Sequence, residues 1–364
     1  MELTAIYHRP ESEYAYLYKD KQMHIRIRTK KDDIESINLH YGDPFIFIED
    51  RYEAIKEMRK LTSDALFDYW QVEVTVGYAR LQYLFEVKDK QGRRILYGDK
   101  GCVPNTLENL HYEGNGFKIP YIHEIDACHV PDWVAETVWY QIFPERFANG
   151  NPEISPEGVL AWDSSIKPKT NDFFGGDLQG IIDHLDYLQD MGITGLYLCP
   201  IFESPSNHKY NTTDYFEIDR HFGNKETFRQ LVDQAHQKGM KIMLDAVFNH
   251  IGDQSPQWQD VLKHGEDSIY KDWFHIQDFP VVKENLVNKR ELSYHTFAFE
   301  SYMPKLNTAN PQVRDYLLSV ATYWIEKFDI DAWRLDVANE VDHQFWRDFR
   351  KAVLAKKPDL YILG

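Results

Sequence analysis

Cysteine is scarce in this sequence, with only Cys102, Cys128 and Cys199 among 364 residues. An odd number of scattered thiols builds no disulfide framework and matches no zinc spacing. Basic residues are also outnumbered, because 41 Lys and Arg face 58 Asp and Glu and leave a net charge of −17. Nucleic acid and anionic membrane surfaces bind basic stripes, so neither is expected as a partner.

Long apolar segments are missing as well. No run of eighteen apolar residues occurs, so no membrane-spanning helix is predicted. The first twenty residues carry charges throughout and have no apolar stretch typical of a secretory signal. Together with the scattered, unpaired cysteines, these features predict a cytoplasmic protein.

Apolar and aromatic residues are plentiful. Hydrophobic residues make up 43% of the chain, which is enough for packed cores, and aromatic residues make up 15%. Aromatic rings stack on the flat apolar faces of sugars, but they also fill protein cores, so their number alone decides nothing. The length predicts two or three domains.

Residues 1–125 have the pattern of short strands. Residues 24–28 and 67–74 alternate with a period of two, and residues 88–92 carry a hairpin signal. Short strands split by Gly, Pro and Asp turns predict an N-terminal β-sandwich. Residues 126–136 are predicted to form a linker.

From residue 137 onward strands and helices alternate. One helix is predicted to start at Asp177 and end at Gly192, and others start near Asn224 and at Pro311. Repeated βα units predict parallel strands. The pattern alone does not separate an open sheet from a (β/α)8 TIM barrel, but the polar strand ends described below favour the barrel.

The predicted barrel is interrupted once. Its first part covers residues 137–250 and its continuation residues 310–364, which reach the fifth strand. About sixty residues separate the third strand from the next helix, too many for a structureless loop. Residues 251–309 are therefore predicted to be a small inserted subdomain, placed where barrel loops build an active-site wall.

The fourth predicted strand carries the most informative residues. Side chains alternate along a strand, so Arg334 and Asp336 share one face near its carboxyl end. The guanidinium is expected to lower the pKa of Asp336 and keep it ionised, as covalent attack on a sugar carbon requires. A buried ion pair that only stabilises the barrel is an equally good interpretation of this spacing.

The third predicted strand also ends in polar residues. Asp245, Asn249 and His250 follow or end its apolar run. A single histidine at a strand end is usually structural. Two polar strand ends in one barrel favour a site that binds sugar hydroxyls.

Several motifs resemble the α-amylase superfamily, glycoside hydrolase family 13. Residues 245–250 (DAVFNH) and 333–340 (WRLDVANE) are similar to two of its signature regions. Residues 303–307 (MPKLN) resemble the motif of its neopullulanase, cyclomaltodextrinase and maltogenic amylase branch, as do residues 138–147 and 173–180. An N-terminal sandwich of the starch-binding type also fits this branch. One departure is Ala332, where the family usually has glycine.

The resemblance implies roles for five residues. Asp336 would be the catalytic nucleophile and Arg334 its positioning partner. His250 would hydrogen-bond the sugar at the cleavage subsite, Asp245 would support the same floor, and Tyr210 would stack on that sugar. For Tyr210 the alternative is ordinary loop packing.

The resemblance also implies a calcium site. Its ligands would come from Asn149, Asn151, Ser155, Gly175 and Asp177. Calcium prefers six to eight oxygen ligands, and only Asp177 supplies a full charge here. Weak binding, or a simple tight turn at residues 149–151, is the alternative.

The implied activity is retaining hydrolysis of α-1,4, and also α-1,6, glucosidic bonds in cyclodextrins, pullulan or maltodextrins. The family places its general acid, a glutamate, directly after the segment that matches residues 361–364, so that acid and about three βα units are expected beyond Gly364. The 364-residue chain alone is therefore expected to be inactive. The alternative is a truncated product that only binds glucan through its sandwich. The intact protein is expected to be a homodimer.

Overall fold

The computed structural model describes residues 1–19, 21–45, 52–123, 127, 130–163, 165–281 and 292–364. The chain divides into two compact units, Met1–His129 and Val130–Gly364. Each unit is described by itself. Within the described residues, no helix combines the length and the apolar character needed to cross a membrane.

The described residues of the first unit form ten strands in two antiparallel sheets. One sheet has the order β1-β2-β6-β5, and the other has the order β4-β3-β7-β8-β9, with β10 paired to β7. The strands are β1 Ala15–Lys19, β2 Gln22–Lys30, β3 Ile34–Gly42, β4 Ala54–Glu57, β5 Arg59–Ser63, β6 Phe67–Thr75, β7 Leu81–Asp89, β8 Arg94–Gly98, β9 Gly101–Pro104 and β10 Phe117–Ile119. A short helix, α1, spans Leu107–His111.

The two sheets enclose one apolar core. Strand β2 shows why, because its buried residues Met23, Ile25 and Ile27 alternate with more exposed ones. They pack in one cluster with Val72 of β6 and Val87 of β7, which belong to different sheets. The N-terminal β-sandwich predicted from the alternating pattern is therefore confirmed.

In the described part of the second unit, five strands form a parallel sheet in sequential order. These are β11 Trp139–Ile142, β12 Gly195–Leu198, β15 Lys241–Ala246, β16 Ala332–Leu335 and β17 Tyr361–Leu363. A separate hairpin of β13 Phe202–Glu203 and β14 Asp214–Ile218 lies between β12 and the next helix. This hairpin was not predicted, because one of its strands has only two residues and its register is irregular.

Helices cover the parallel sheet. They are α2 Leu178–Asp183, α3 Leu185–Asp190, α4 Lys225–Gln237, α5 Pro256–His264, α6 Pro311–Phe328 and α7 His343–Lys356. Asn224 and Asn310 cap α4 and α6 with their side chains, and Pro311 occupies the first position of α6. These starts agree with the sequence prediction.

The single helix predicted between Asp177 and Gly192 is wrong, because the structure has two. In a continuous helix the backbone N–H of His184 would donate to the carbonyl of Gly180. Instead the Nδ1 atom of His184 lies 2.8 Å from that carbonyl oxygen, and its backbone N–H bonds to Ile181. The side chain thus replaces the backbone donor and breaks the helix.

Two of the predicted segments, the linker and the inserted subdomain, lie partly outside the described residues. In the predicted linker, residues 126, 128 and 129 are not described, and a 3-10 helix covers Asp132–Glu136. In the predicted inserted subdomain, residues 282–291 are not described. The described part contains α5 and two short 3-10 helices, Gly265–Asp267 and Lys271–Trp273. The domain limits stay predictions.

Candidate active site

The site forms where β15 and β16 end side by side. The parallel register pairs Asp245 of β15 directly with Arg334 of β16. Paired residues of adjacent parallel strands point to the same face of the sheet, so the two side chains meet. Asp336 follows β16 directly, and its backbone N–H donates to the carbonyl of Ala246 at 3.1 Å.

Asp245 is a buried carboxylate with both oxygens bonded. The Nη1 atom of Arg334 lies 3.1 Å from its Oδ1 and 3.2 Å from its Oδ2. The hydroxyls of Tyr197 and Tyr210 donate to Oδ2 at 2.5 and 3.0 Å. Burial raises the pKa of Asp245 to about 6, although the charge of Arg334 and the hydrogen bond from Tyr197 oppose this.

Asp336 shares the same guanidinium. The Nη1 atom of Arg334 donates to its Oδ1 at 2.6 Å, and Asp336 is 8% exposed. The next residue, Val337, has a φ of 51°, a left-handed conformation that a β-branched residue rarely adopts. Such strained positions cluster at active sites.

The predicted direction of the Asp336 pKa is wrong. Arg334 does act to lower it, as expected, but burial has the larger effect and raises the pKa above its ordinary value. Asp336 and Asp245 share one guanidinium as their ion-pair partner, because Arg334 Nη1 contacts both. The ion pair therefore only partly offsets the loss of water around Asp336.

His250 and Tyr210 complete the group of predicted residues. The Nε2 atom of His250 lies 3.1 Å from the carbonyl oxygen of Tyr210. The ring of Phe297 stacks on the imidazole with centroids 5.0 Å apart. Burial lowers the pKa of His250 to about 4, so the ring is neutral at physiological pH. All five predicted residues thus lie in one connected cluster, while their roles stay predictions.

The residues predicted to bind calcium form a second cluster. The Nδ2 atom of Asn149 donates to the Oγ atom of Ser155 at 2.9 Å, and the buried Oδ1 atom of Asn149 has no hydrogen-bond partner in the described structure. Gly175 has a φ of 74°, and a Cβ atom there would lie 2.7 Å from Asn149 Nδ2. The buried Oδ1 atom of Asn149 is therefore available as a ligand, and the tight approach at Gly175 leaves no room for a side chain. Both features are compatible with a bound cation.

The charge at this cluster is low. Asp177 accepts hydrogen bonds from the backbone N–H groups of Gly150, Asn151 and Gly180 at 3.1, 2.8 and 2.6 Å. These bonds occupy much of its acceptor capacity. The described part of the chain contains no group of three or more His, Cys, Asp or Glu residues that could hold a metal. A cation here would be coordinated mainly by neutral oxygens, so these residues are suited to weak binding of an ion.

Sequence reasoning missed Tyr197, which makes the shortest hydrogen bond to Asp245. It lies in β12 between Leu196 and Leu198, so the strand looks like an ordinary buried one. It also missed Lys305, whose Nζ atom contacts the side chain of Asn249 and the carbonyl of Glu340. The only signal for Lys305 was its place in the motif at residues 303–307.

Comparison with known proteins identifies the class. Residues 141–364 match the family model described as "Alpha amylase, catalytic domain", and residues 1–123 match "Alpha amylase, N-terminal ig-like domain". The chain therefore belongs to the α-amylase family. The fold prediction of a sandwich followed by the first part of a TIM barrel is confirmed.

Individual relatives narrow the class to the predicted branch. The chain is 56% identical to the intracellular maltogenic amylase of Bacillus subtilis and 55% identical to a cyclomaltodextrinase of Geobacillus thermopakistaniensis. In both cases the match covers 100% of this chain and 60% of the relative. A solved structure of a cyclomaltodextrinase matches with a TM-score of 0.91 at 46% identity, again over 100% of this chain and 60% of that one. The resemblance seen in the sequence is confirmed, and the chain spans about 60% of the length of these relatives.

Proposed function

We propose that the protein is a retaining α-glucan hydrolase. Its substrates would be cyclodextrins, pullulan or maltodextrins, cleaved at α-1,4 and also at α-1,6 bonds. The observation that carries the proposal is the unequal bonding of two neighbouring carboxylates. Asp245 accepts four hydrogen bonds on two oxygens, whereas within the described residues the bonds to the Asp336 side chain end on Oδ1.

This difference supports Asp336 as the proposed nucleophile. Arg334 holds one oxygen of Asp336 and leaves the other for attack on the anomeric carbon. The attack forms a glycosyl-enzyme ester as the glycosidic bond breaks, and water then hydrolyses the ester with net retention. A second carboxyl group, about 5 Å away, has to protonate the leaving oxygen. We propose that this acid is the glutamate expected, from the family resemblance, directly after Gly364.

The remaining residues form the floor of the subsite. Asp245 has a positioning role, because it accepts hydrogen bonds from Arg334 and from Tyr210 and so orients both side chains. Tyr210, whose hydroxyl is fixed in this way, presents its ring to the sugar. His250, as a neutral imidazole, hydrogen-bonds a sugar hydroxyl. The names of the maltogenic amylase and cyclomaltodextrinase relatives support this substrate class.

Replacement of Asp336 by asparagine tests the nucleophile. In the polypeptide that carries the general acid, Asp336→Asn is expected to lower kcat by about 10⁴-fold or more while cyclodextrin binding persists. Asp329→Asn is the matched control, because its side chain is exposed and lies at the opposite end of β16. Turnover is measured as reducing sugar released from cyclodextrin. A kcat within tenfold of the wild type would remove Asp336 from this role.

A second candidate function is glucan binding by the first unit alone. On the sheet that contains β1 and β2, the ring of Tyr18 stacks on His24 with centroids 3.8 Å apart, and Arg26 lies over Tyr16. Such aromatic faces suit sugar rings. The 364-residue chain is expected to release no reducing sugar but to be retarded in gels containing amylopectin. Reducing-sugar release by this chain would contradict the expected inactivity.

A calcium ion is proposed at the second cluster. Asn149 Oδ1, Ser155 Oγ, Asp177 and the backbone of Gly175 would hold it, and the ion would tie the loop at residues 149–155 to the start of α2. Saturating calcium is expected to raise the free energy of unfolding by about 2.7 kcal/mol at 100 times Kd. Asn149→Ala should remove this increment, as measured by thermal melts in calcium, magnesium and a chelator. Equal melts in calcium and chelator would exclude the site.

Two further expectations are kept as proposals. An intracellular location is supported by the name of the Bacillus subtilis relative. A homodimer is proposed for the intact protein, and sedimentation analysis of that protein checks it.

A further inference from the structure

Lys305 connects the inserted segment to the end of β15. Its neighbours pair with that end through the backbone, since Leu306 N donates to Asn249 at 3.0 Å and Ile251 N donates to Pro304 at 3.1 Å. This register places Lys305 opposite His250. Its ammonium group contacts the Oδ1 atom of Asn249.

The same ammonium group also contacts Glu340, which lies four residues after the proposed nucleophile, Asp336. Lys305 Nζ lies 3.1 Å from the carbonyl oxygen of Glu340 and 3.4 Å from its Oε2. It is therefore bonded on both sides, and its position is well defined.

The contact with Lys305 fixes the orientation of the Asn249 amide. An ammonium group can only donate hydrogen bonds, so the amide atom that it contacts must be the oxygen. The amide nitrogen then faces Nδ1 of His250, at 3.3 Å. An amide NH2 group can only donate, so Nδ1 must accept and carries no proton.

The contact of the second ring nitrogen, Nε2, indicates the same tautomer. The Nε2 atom of His250 faces the carbonyl oxygen of Tyr210, which can only accept, so Nε2 carries the proton. Asn249 and His250 are each 1% exposed, so water does not replace these partners readily. The chain of contacts from Lys305 through Asn249 thus admits one protonation state of the ring.

We propose that Lys305 is a positioning residue that, by fixing the Asn249 amide, holds His250 as a neutral imidazole protonated on Nε2. The geometry stands by itself, while its use in sugar binding rests on the proposed function. A ring fixed in this way keeps one tautomer, whose Nε2–H donates to the Tyr210 carbonyl and is shared with a sugar hydroxyl when the subsite is filled.

The charges around His250 act in the same direction. Burial lowers its pKa, and the positive charge of Lys305 and the neighbouring His208 lower it further, against the effect of the Tyr210 carbonyl. Glu340 lies on the far side of Lys305, and Phe297 covers the ring without charge. Without Lys305 the amide of Asn249 is free to turn its oxygen toward Nδ1, which would then accept a proton.

Nitrogen-15 NMR of histidine-labelled protein tests the proposal, since long-range couplings distinguish protonated from unprotonated ring nitrogens. The His250 signals are assigned by their loss in His250→Gln. In the wild type we expect Nε2–H and bare Nδ1 throughout pH 5–8. Lys305→Met should raise the proton affinity of His250 at least tenfold. Asn249→Asp, whose oxygens only accept, should protonate Nδ1 at pH 7.

Glu340→Gln is the matched control, because it changes the other partner of Lys305 and leaves the Asn249 contact intact. Its His250 signals should match the wild type. A protonated Nδ1 in the wild type, or an unchanged proton affinity in folded Lys305→Met, would overturn the proposal. If Lys305→Met does not fold, the wild-type tautomer and Asn249→Asp decide the question. No substrate is used, so the result is independent of the Asp336 turnover test.

Discussion

Replacement of Asp331 by asparagine is expected to lower the free energy of unfolding of the second unit by about 3 kcal/mol. Asp331 lies just before β16, at its amino end, and is 2% exposed. Its Oδ2 atom accepts from His236 Nε2 at 2.7 Å and from the backbone of Ile242 at 2.9 Å. Its Oδ1 atom lies 3.1 Å from Lys357 Nζ and 3.2 Å from Lys241 Nζ.

The magnitude follows from these contacts. Removing one partner of a buried ion pair costs about 3–5 kcal/mol, because the remaining charge is left uncompensated. The asparagine amide oxygen still accepts one hydrogen bond. The side chains of Lys357 and Lys241 are 16% and 31% exposed, so both retain some water. Both facts favour the lower end of the range.

The pH dependence has a defined sign. Burial acts to raise the pKa of Asp331, but the hydrogen bonds from His236 and Ile242 and the charges of Lys357 and His236 outweigh it, and the folded-state pKa is lowered. A carboxyl group with a lowered pKa contributes stability above its unfolded value of about 3.9, and that contribution is lost as the pH falls below it. The difference between wild type and Asp331→Asn should therefore shrink below about pH 4.

Urea denaturation followed by tryptophan fluorescence is the assay, since eight of the nine tryptophans lie in residues 130–364. Asp329→Asn is the matched control, because Asp329 accepts from the same Lys357 Nζ at 2.8 Å but its side chain is 68% exposed. It should change the free energy of unfolding by less than about 1 kcal/mol. Equal effects of the two substitutions would refute the reasoning from burial.

Two further substitutions test the site and the fold. Tyr197→Phe removes the hydroxyl that donates to Asp245 at 2.5 Å, and kcat/KM on cyclodextrin should fall about tenfold, in line with a loss of about 1.4 kcal/mol of transition-state stabilisation. The exposed Tyr187→Phe is its control, and equal activities would exclude a role for Tyr197. Asn224→Ala removes the N-cap that accepts from Thr227 N at 3.0 Å, and urea denaturation should show a loss of about 1 kcal/mol. No measurable loss would contradict the capping role.

The regular parts of the fold were predictable because local chemistry determines them. The caps at Asn224 and Asn310 satisfy backbone N–H groups next to them, so the residue type reveals the helix start. The break at His184 was not predictable, since it depends on a ring nitrogen competing with a backbone N–H for one carbonyl. Histidine has no strong preference for that conformation, so the residue type gives no signal.

The site was predictable where the polar residues interrupt an apolar strand pattern. Arg334 and Asp336 share a face by alternation alone, and the structure confirms that they are bonded. Tyr197 was missed because a tyrosine between leucines has the pattern of a core strand. Its role depends on the register that brings β12 beside β15, and register is a property of the folded sheet.

The two central carboxylates show what the sequence cannot distinguish. Asp245 and Asp336 both follow apolar residues near the end of a parallel strand, and both contact Arg334 Nη1. Two tyrosine hydroxyls and the guanidinium fix both oxygens of Asp245, so it can orient its neighbours but is poorly placed to attack. Asp336, held through one oxygen, keeps the freedom that a nucleophile needs. Since Tyr197 and Tyr210 come from other parts of the chain, only the folded sheet distinguishes the carboxylate fixed through both oxygens from the one that Arg334 holds through one oxygen.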